Sequence, residues 1–260
     1  MSIFIYILFL FCSVIFSSEP FEKYKKDKSY FPNKINDNTI IINGLIEDRE
    51  WENAKIINDF TQASPHYGSE PTRNSNVRVL YDNEAIYIAA YLFDESDKIK
   101  KKISAYDNWQ EGFDNNADYF VIEIDCMHDH QTSYAFAVNS SGVKADYKMF
   151  NDASLNEEWD EMWYAKTSIQ NDGWIVEYKI PLKILNYHKN EDMGINFIRY
   201  IQRNNEYIYW VLLPIEFDGI ISHYGHIKDL SIPIQKNITI QPYILHGGTN
   251  FINQYYAFNS

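Results

Sequence analysis

One segment, residues 118–125, limits the fold more than any other part of the sequence. It consists of Asp-Tyr-Phe-Val-Ile-Glu-Ile-Asp, and its β-branched and aromatic residues favour a β-strand. Side chains of a strand alternate between two faces, so one face carries Phe120, Ile122 and Ile124. The opposite face is mixed and carries Glu123. We therefore predict a β-strand over residues 119–125.

Similar runs recur at short intervals and are separated by turn residues such as Asn171-Asp172-Gly173. The predicted strands are 39–42, 77–81, 86–93, 119–125, 133–139, 144–149, 163–169, 174–180, 196–203 and 207–213. Short helical segments are expected at 49–57, with Asp48 as the N-cap and Trp51 in the core, and at 181–185. These elements predict an all-β fold, an antiparallel, jelly-roll-like β-sandwich with one or two short helices.

The beginning of the chain has the composition of an export signal. Residues 3–16 are almost all apolar, and a run of about 14 residues suits a signal peptide better than a membrane span. We predict a signal peptide over 1–18, a Lys-rich linker over 19–38, the β-sandwich over 39–235 and a tail over 236–260 that is interpreted as the start of a further region. Such an exported protein would lie in the periplasm, in the outer membrane or outside the cell.

The net charge of −13 restricts the partners. An acidic surface repels phosphate backbones, so we expect no nucleic-acid binding.

The spacing of the most evident carboxylate pair disfavours catalysis by that pair. Asp118 and Asp125 are seven residues apart, about 23 Å along a strand that rises about 3.3 Å per residue. Glycosidase carboxyl groups lie roughly 5–9 Å apart, so this pair cannot be the acid and nucleophile of a hydrolase, and we predict a non-catalytic protein. The alternative is a glycoside hydrolase in which two of Asp118, Glu123, Asp146 and Asp160 converge across a groove.

The run Trp159-Asp160-Glu161-Met162-Trp163 places two indole rings beside carboxylates. Sugars bind such surfaces because their C–H faces stack on aromatic rings and their hydroxyl groups need polar partners. Trp163 begins a predicted strand, so core packing is the competing interpretation for that residue. Trp109 lies in a polar loop, 107–116, and is expected to be the most exposed tryptophan.

The sequence contains residues typical of two kinds of metal site, one for calcium and one for zinc. Calcium prefers six to eight oxygen ligands, and acidic residues cluster in two loops, but neither loop has the spacing of an EF-hand. The acidic residues are Asp107, Glu111 and Asp114 in one loop, and Asp152, Glu157, Glu158 and Asp160 in the other. Solvated acidic loops are the alternative interpretation. His128-Asp129-His130 suggests zinc, but no third ligand lies nearby in the sequence.

Several of these segments together resemble the carbohydrate-binding module family 9-like domain, over roughly residues 40–234. The similar segments are 42–51, 77–82 with 86–88, 118–125, 136–139, 173–177 and 180–181. The resemblance implies a β-sandwich, binding of a carbohydrate ligand and often structural calcium. It implies no catalytic centre within the module itself.

A narrower resemblance is to exported bacterial proteins that place this module before a membrane β-barrel region of unknown function. The similar motifs are Trp159-Asp160-x-x-Trp163, Gly194-x-Asn196-Phe197-x-Arg199, Arg203-Asn204-x-Glu206, Ser222-x-x-Gly225 and Pro242-Tyr243. This resemblance implies a barrel partner in the same or another chain. It also raises an alternative function, a periplasmic interaction or plug-like domain without a sugar ligand.

The sequence departs from the sugar-binding members at the residues that clamp the sugar. Those members have Trp, Glu and Arg where this chain has Asn115, Val121 and Ala137, and of that set only Asn139 is present. The fold is therefore implied more firmly than the ligand.

The remaining residues still suggest a saccharide site. We hypothesise a groove over strands 134–139 and 163–169, with Trp109 and Trp163 stacking on the sugar. The proposed hydrogen-bonding residues are Asp118, Asn139, Asp160 and Arg199. Arg199 and Arg203 lie four residues apart, and pairing with carboxylates is the alternative role for both.

Overall fold

The computed structural model describes residues 28–188, 192–215 and 219–233. The predicted signal peptide, 1–18, and the predicted tail, 236–260, lie outside the described residues. The strands are β1 (Ser29–Tyr30), β2 (Asn33–Lys34), β3 (Thr61–Ser64), β4 (Ser75–Tyr81), β5 (Ala85–Phe93), β6 (Tyr119–Asp125), β7 (Ser133–Asn139), β8 (Lys144–Phe150), β9 (Ser154–Asn156), β10 (Tyr164–Gln170), β11 (Gly173–Pro181), β12 (Met193–Ile201), β13 (Glu206–Tyr209) and β14 (Gly225–Ile227). One short helix, α1, covers Trp109–Gly112, and 3-10 turns cover Arg49–Asn53, Leu182–Ile184, Gln202–Asn204 and Ile221–His223. None of these helices is long or apolar enough to cross a membrane.

The described strands form two sheets. The nine-stranded sheet has the order β1-β14-β12-β6-β7-β8-β9, and β13 joins β12 to β3. The five-stranded sheet has the order β10-β11-β5-β4-β2. Nearly all pairs are antiparallel, which confirms the predicted two-sheet sandwich. The exceptions are β1 with β14 and β2 with β4, both parallel, and both use residues from the segment that was expected to be a linker.

The main core lies between the two sheets. Phe120, Ile122 and Ile124 of β6 face this core, as their alternation predicted, and all three are fully buried. Tyr178 of β11 faces them from the other sheet, and its hydroxyl donates to the backbone oxygen of Phe120 over 2.9 Å. Burial of each large apolar side chain stabilises the fold by about 1.5–3 kcal/mol. The core between the two sheets contains the largest cluster of such side chains and is therefore the main source of stability.

The outer face of the nine-stranded sheet is also covered. All seven residues of β6 are buried, including Tyr119 and Val121 on the outer face. Residues 100–117, which we call the cover loop, cross this face and place Phe113 of the loop against Tyr119 at a ring distance of 5.6 Å. A sheet that is buried on both sides loses the polar alternation of a surface sheet, which explains the long apolar runs in β6, β7 and β12.

The outer face of the five-stranded sheet is covered by the chain that precedes β3. Trp51 is buried there, as predicted. Its Nε1 donates to Glu177 Oε1 over 3.2 Å, and Glu177 Oε2 accepts the amides of Asn43 and Gly44 at 3.0 and 2.8 Å. One buried carboxylate on β11 therefore holds both the turn and the tryptophan.

Two local predictions before β3 are wrong. Residues 39–42 form no strand, because this segment lies across the sheet face instead of pairing along an edge. The helix expected over 49–57 is a single 3-10 segment, Arg49–Asn53. Asp48 stands at the N-cap position, but its carboxylate accepts the amide of Ile41 at 3.0 Å instead of capping the helix.

We expect Glu177→Ala to lower the free energy of unfolding by about 2–4 kcal/mol, because it leaves three donors without their acceptor in a buried region. Glu177→Gln should cost less, since one oxygen remains. Urea denaturation followed by circular dichroism measures both. The control is Glu52→Ala on the exposed side of the 3-10 turn. Equal midpoints for Glu177→Ala and the control would contradict this role of Glu177.

Candidate functional site

Four of the six predicted site residues are buried, and Asn139 is the clearest case. Its amide nitrogen donates to the backbone oxygens of Lys102 and Gly112 at 2.9 and 2.7 Å. Its amide oxygen accepts the backbone N–H groups of Ser141 and Val143 at 2.9 and 3.1 Å. Asn139 therefore fastens the cover loop to the β7–β8 turn.

Arg199 is 1% exposed and connects the two sheets. Its guanidinium donates to the backbone oxygens of Asn74 and Phe93, each at 2.7 Å, and to the Ser75 hydroxyl at 3.1 Å. Burial lowers the pKa of Arg199 to about 10. The side chain lies 4.0 Å from the Asp94 carboxylate.

Asp94 is the centre of an ion-pair network next to Arg199. Arg203 forms two hydrogen bonds with the buried Asp94 carboxylate, at 2.6 and 2.7 Å, and Arg73 adds a third at 3.1 Å. These bonds keep the pKa of Asp94 below its usual value in spite of its burial. Arg203 therefore pairs with a carboxylate, whereas the hydrogen bonds of Arg199 go to backbone oxygens and the Ser75 hydroxyl.

Asp118 directly precedes β6 and is also buried. One of its carboxylate oxygens accepts the amide of Gln202 at 2.9 Å, and the other is buried without a hydrogen-bond partner. Burial raises the pKa of Asp118 to about 6, although the charge of Arg199 acts in the opposite direction.

Trp163 packs in the main core. It is 2% exposed, stacks on Tyr178 at a ring distance of 5.9 Å and meets Phe136 edge-on at 5.2 Å. Strands β7 and β10 belong to different sheets, so Trp163 fills the space between them instead of lining the hypothesised groove. Core packing, the competing interpretation, describes its position.

The other two predicted residues are not buried: Trp109 is half-buried on the outer side of the nine-stranded sheet, and Asp160 is exposed in the segment before β10. A small cavity of about 110 Å³ opens beside α1. It is lined by Asp107, Trp109, Ala145, Asp146, Tyr147, Leu155 and Glu157. We call it the Trp109 cavity. It brings together the cover loop, β8 and β9.

Aromatic rings form one side of the Trp109 cavity. Trp109 stacks on Phe113 at a ring distance of 4.8 Å, and its edge meets Tyr147 at 5.8 Å with the rings perpendicular. Tyr147 is fixed in turn, because its hydroxyl donates to Glu123 Oε1 over 3.0 Å. Leu155 on β9 is 56% exposed and forms part of the opposite side.

Three carboxylates meet beside the Trp109 cavity, and two of them belong to lining residues, Asp107 and Asp146. Oxygen atoms of Asp107, Asp146 and Asp160 all lie within 4.8 Å of one another, close enough to hold a metal ion. Asp107 and Asp160 are exposed, whereas Asp146 is buried. Asp146 Oδ2 accepts the amide of Glu161 and the Trp163 indole at 3.1 and 3.2 Å. Burial and the nearby Asp107 raise the pKa of Asp146 to about 7.

Asp146 was not among the predicted site residues. The sequence assigned Asp107 and Asp160 to separate acidic loops, and neither loop by itself has a ligand spacing. The hairpin of β7 and β8 brings Asp146 between the two loops, opposite Phe136 in the register. The sequence does indicate Asp146 in one way, because it is an acidic residue inside a predicted strand. Burying a carboxylate there costs free energy unless hydrogen-bond donors or cations contact it.

A second, more open groove of about 480 Å³ lies at the edge of the five-stranded sheet. Its lining residues are Ile40, Ile42, Lys144, Trp163, Tyr164, Ala165, Lys166 and Lys179. Lys144 covers the Trp163 ring, with its Nζ 4.2 Å from the ring centre. The Trp163 ring is therefore closed to a ligand, and Tyr164 is the exposed aromatic of this groove.

The comparison with protein families identifies one family. Residues 42–208 match the family described as carbohydrate family 9 binding domain-like. The chain belongs to this family. Its domain is accordingly a carbohydrate-binding module without a catalytic centre. No curated protein sequence matches the chain.

Solved structures support the same fold. A family 9 carbohydrate-binding module from Caldicellulosiruptor kristjanssonii in complex with cellotriose superposes with a TM-score of 0.54 at 16% identity, covering 83% of this chain and 100% of the module. The same organism's module in complex with glucose gives 0.53 at 17% identity, covering 82% and 100%. A protein from Bacteroides uniformis ATCC 8492 gives 0.63 at 12% identity, covering 79% and 99%. At these identities the likeness concerns the fold alone.

The three positions where the sugar clamp departs have structural roles in this chain. Val121 and Ala137 are buried in the cluster under the cover loop. Asn115 accepts a hydrogen bond from the Tyr200 hydroxyl over 2.6 Å. These three positions therefore serve packing and hydrogen bonding in and under the cover loop.

We expect the stability of the protein to fall between pH 4 and pH 6 in part because of Asp118. The folded pKa of about 6 exceeds the unfolded value of about 3.9, so ionisation of this buried group destabilises the fold as the pH rises through that window. Asp118→Asn removes the ionisation and keeps an acceptor for Gln202.

The variant should therefore gain stability relative to the wild type on going from pH 4 to pH 6.5, on the order of 1–3 kcal/mol. Urea unfolding at several pH values measures this difference, and Asp97→Asn, on an exposed turn, is the control. A difference between Asp118→Asn and wild type that does not change with pH would contradict the assignment.

Proposed function

We propose that this module binds a carbohydrate at the Trp109 cavity, by stacking on aromatic rings and hydrogen-bonding with carboxylates. The observation that carries the proposal is the meeting of Trp109 and Tyr147 with Asp107 and Asp146 around one opening. A sugar presents C–H groups to rings and hydroxyl groups to carboxylate oxygens, so both sides of the cavity have a suitable partner.

The size of the cavity limits the ligand. Pockets that enclose drug-sized molecules measure roughly 300–1,000 Å³, whereas the Trp109 cavity measures about 110 Å³. We therefore expect it to take one sugar unit at a time, such as the end of a chain. Glucose and cellotriose, the ligands named for the structural neighbours, are suitable first probes.

The rigidity of the surroundings supports binding at this place. The cover loop is fastened by Asn139 and by the Ser140 hydroxyl, which donates to the Lys100 backbone oxygen over 2.7 Å. Phe113 beneath Trp109 is fully buried, so the indole rests on a fixed base. A preformed aromatic surface loses little conformational entropy when it binds.

The test compares two changes at the cavity. Leu155→Arg inserts a long side chain at the exposed rim without altering the core, and Trp109→Ala removes the stacking surface. We expect each to weaken the affinity for cellotriose, measured by titration calorimetry, at least about tenfold, which equals about 1.4 kcal/mol. Tyr164→Ala, in the groove of the other sheet, is the matched control.

The outcome also separates the two functions that the sequence left open. If the folded protein binds neither cellotriose, glucose nor any glycan of a broad array, the sugar proposal is wrong. An interaction domain without a sugar ligand is then favoured, and the packed residues at the clamp positions already support that alternative. Equal affinity in Tyr164→Ala, Leu155→Arg and Trp109→Ala would show that sugar binds elsewhere.

We also propose that Asp107, Asp146 and Asp160 bind calcium. Three close carboxylate groups supply hard oxygen ligands, and water can complete the coordination shell. A cation would offset the mutual repulsion of these acids and would join the cover loop to the segment before β10.

Calcium should therefore raise the thermal unfolding midpoint of the protein by a few degrees at pH 8. Scanning calorimetry with calcium and with a chelator measures this shift. The double variant Asp107→Asn/Asp160→Asn should lose the shift, whereas Asp229→Asn, an exposed acid elsewhere, should keep it. An unchanged shift in the double variant would place the ion at another site.

We further propose an exported location and a role in holding glycans for breakdown or uptake. The apolar segment 3–16 supports export. Fractionation of cells that produce the full chain tests this location directly, since a purely cytoplasmic protein would exclude it.

A further inference from the structure

Three histidines from two distant segments of the sequence meet at one end of the nine-stranded sheet. The ring centres of His128 and His130 are 4.7 Å apart, with the rings tilted by 63°. The ring centres of His128 and His226 are 5.1 Å apart, with a tilt of 75°. The sequence showed only the first two, because His226 follows them by nearly a hundred residues.

The strand register explains why His226 joins the pair. His226 on β14 is opposite Gly194 on β12, and Gly194 is opposite Asp125 at the end of β6. Residues directly opposite each other across antiparallel strands share a face. A Cβ atom at Gly194 would lie 3.0 Å from the Asp125 Cβ atom, so glycine leaves room between the two neighbouring strands.

The turn that carries His128 and His130 has a defined conformation. Both residues have positive φ angles, 50° and 57°. The Asp125 carboxylate, fully buried, accepts the amide of Asp129 at 3.3 Å and that of His130 at 2.9 Å. Asp125 therefore fixes the backbone from which both imidazoles project.

One imidazole nitrogen in the cluster lacks a hydrogen-bond partner. Nε2 of His128 is buried, and no polar atom of the described residues satisfies it. A buried polar atom without a partner costs free energy. Metal coordination is an interaction that would satisfy this nitrogen.

We propose that His128, His130 and His226 form a site for a zinc ion. In a tetrahedral zinc site with Zn–N bonds of about 2.0–2.1 Å, neighbouring imidazole centres lie roughly 5 Å apart, and the two observed separations are 4.7 and 5.1 Å. The nitrogens of the three rings do not all lie within 4.8 Å of one another among the described residues, so the exposed His130 side chain has to rotate to bring its nitrogen to the common ion. Water would occupy the fourth position.

The histidine site and the site of Asp107, Asp146 and Asp160 differ in their ligand atoms and therefore in the metal that they favour. Imidazole nitrogen favours zinc and its neighbours in the first transition series, whereas carboxylate oxygen favours calcium. A bound zinc would connect the β6–β7 turn to β14. Through β14 it would also hold β1, which pairs with β14 at Ser29 and Tyr30. This histidine site is independent of the proposed sugar site.

The experiment uses the full chain without a histidine tag, treated with a chelator and then dialysed. Zinc chloride is titrated by calorimetry in the presence of excess calcium, which occupies the acidic site. We expect one zinc ion per chain. His128→Ala and His226→Ala should each weaken binding roughly 100-fold or more. His66→Ala, an exposed histidine outside the cluster, should leave it unchanged.

Cobalt provides a second measurement, because the visible spectrum of bound cobalt reports nitrogen coordination and low coordination number. The proposal predicts an intense cobalt band that His128→Ala abolishes. It is overturned if the folded wild type binds no zinc, or if the double variant His128→Ala/His226→Ala binds zinc as tightly as the wild type. It is equally overturned if Asp107→Asn/Asp160→Asn abolishes zinc binding while the histidine variants retain it.

Discussion

The two-sided burial of β6 is the constraint on which the rest of the structure depends. Its inner residues require the five-stranded sheet, and its outer residues require a second cover. The cover loop meets this requirement with Phe113 and Trp109, and Asn139 holds the loop in place. Trp109 is half-buried because one side of its ring packs against the sheet. The rest of its surface lines the cavity, so the same residue covers the sheet and forms the candidate ligand surface.

Buried carboxylates are the second organising feature. Glu177, Asp82 and Glu206 each accept backbone amides from loops that are distant in the sequence or that close a turn. Each costs free energy to bury and recovers it through charge-assisted hydrogen bonds. Several of the motifs that carry the family resemblance contain these acids, and in this structure they act on loop geometry. This explains why those motifs indicate the fold so well and the ligand so poorly.

The sequence was informative wherever local patterns determine the outcome. The alternation of β6 predicted its two faces correctly, and the turn residues placed most strands. It was uninformative wherever the outcome depends on which distant segments meet. The sequence around Trp163 is compatible with an exposed, sugar-stacking tryptophan. In the structure, Phe136 of the nine-stranded sheet packs against the ring and Trp163 is buried. Asp146 and His226 gain significance only when the sheet register brings them to Asp107 and His128.

The separation between the cover loop and the main core has an evolutionary consequence. The loop rests on a cluster of side chains that is distinct from the cluster between the sheets. Replacement or lengthening of residues 103–111 would therefore change the outer surface while the inter-sheet packing, which supplies most of the folding energy, remains intact. Such an arrangement lets one scaffold acquire new specificities through changes in a single loop, at little risk to its ability to fold.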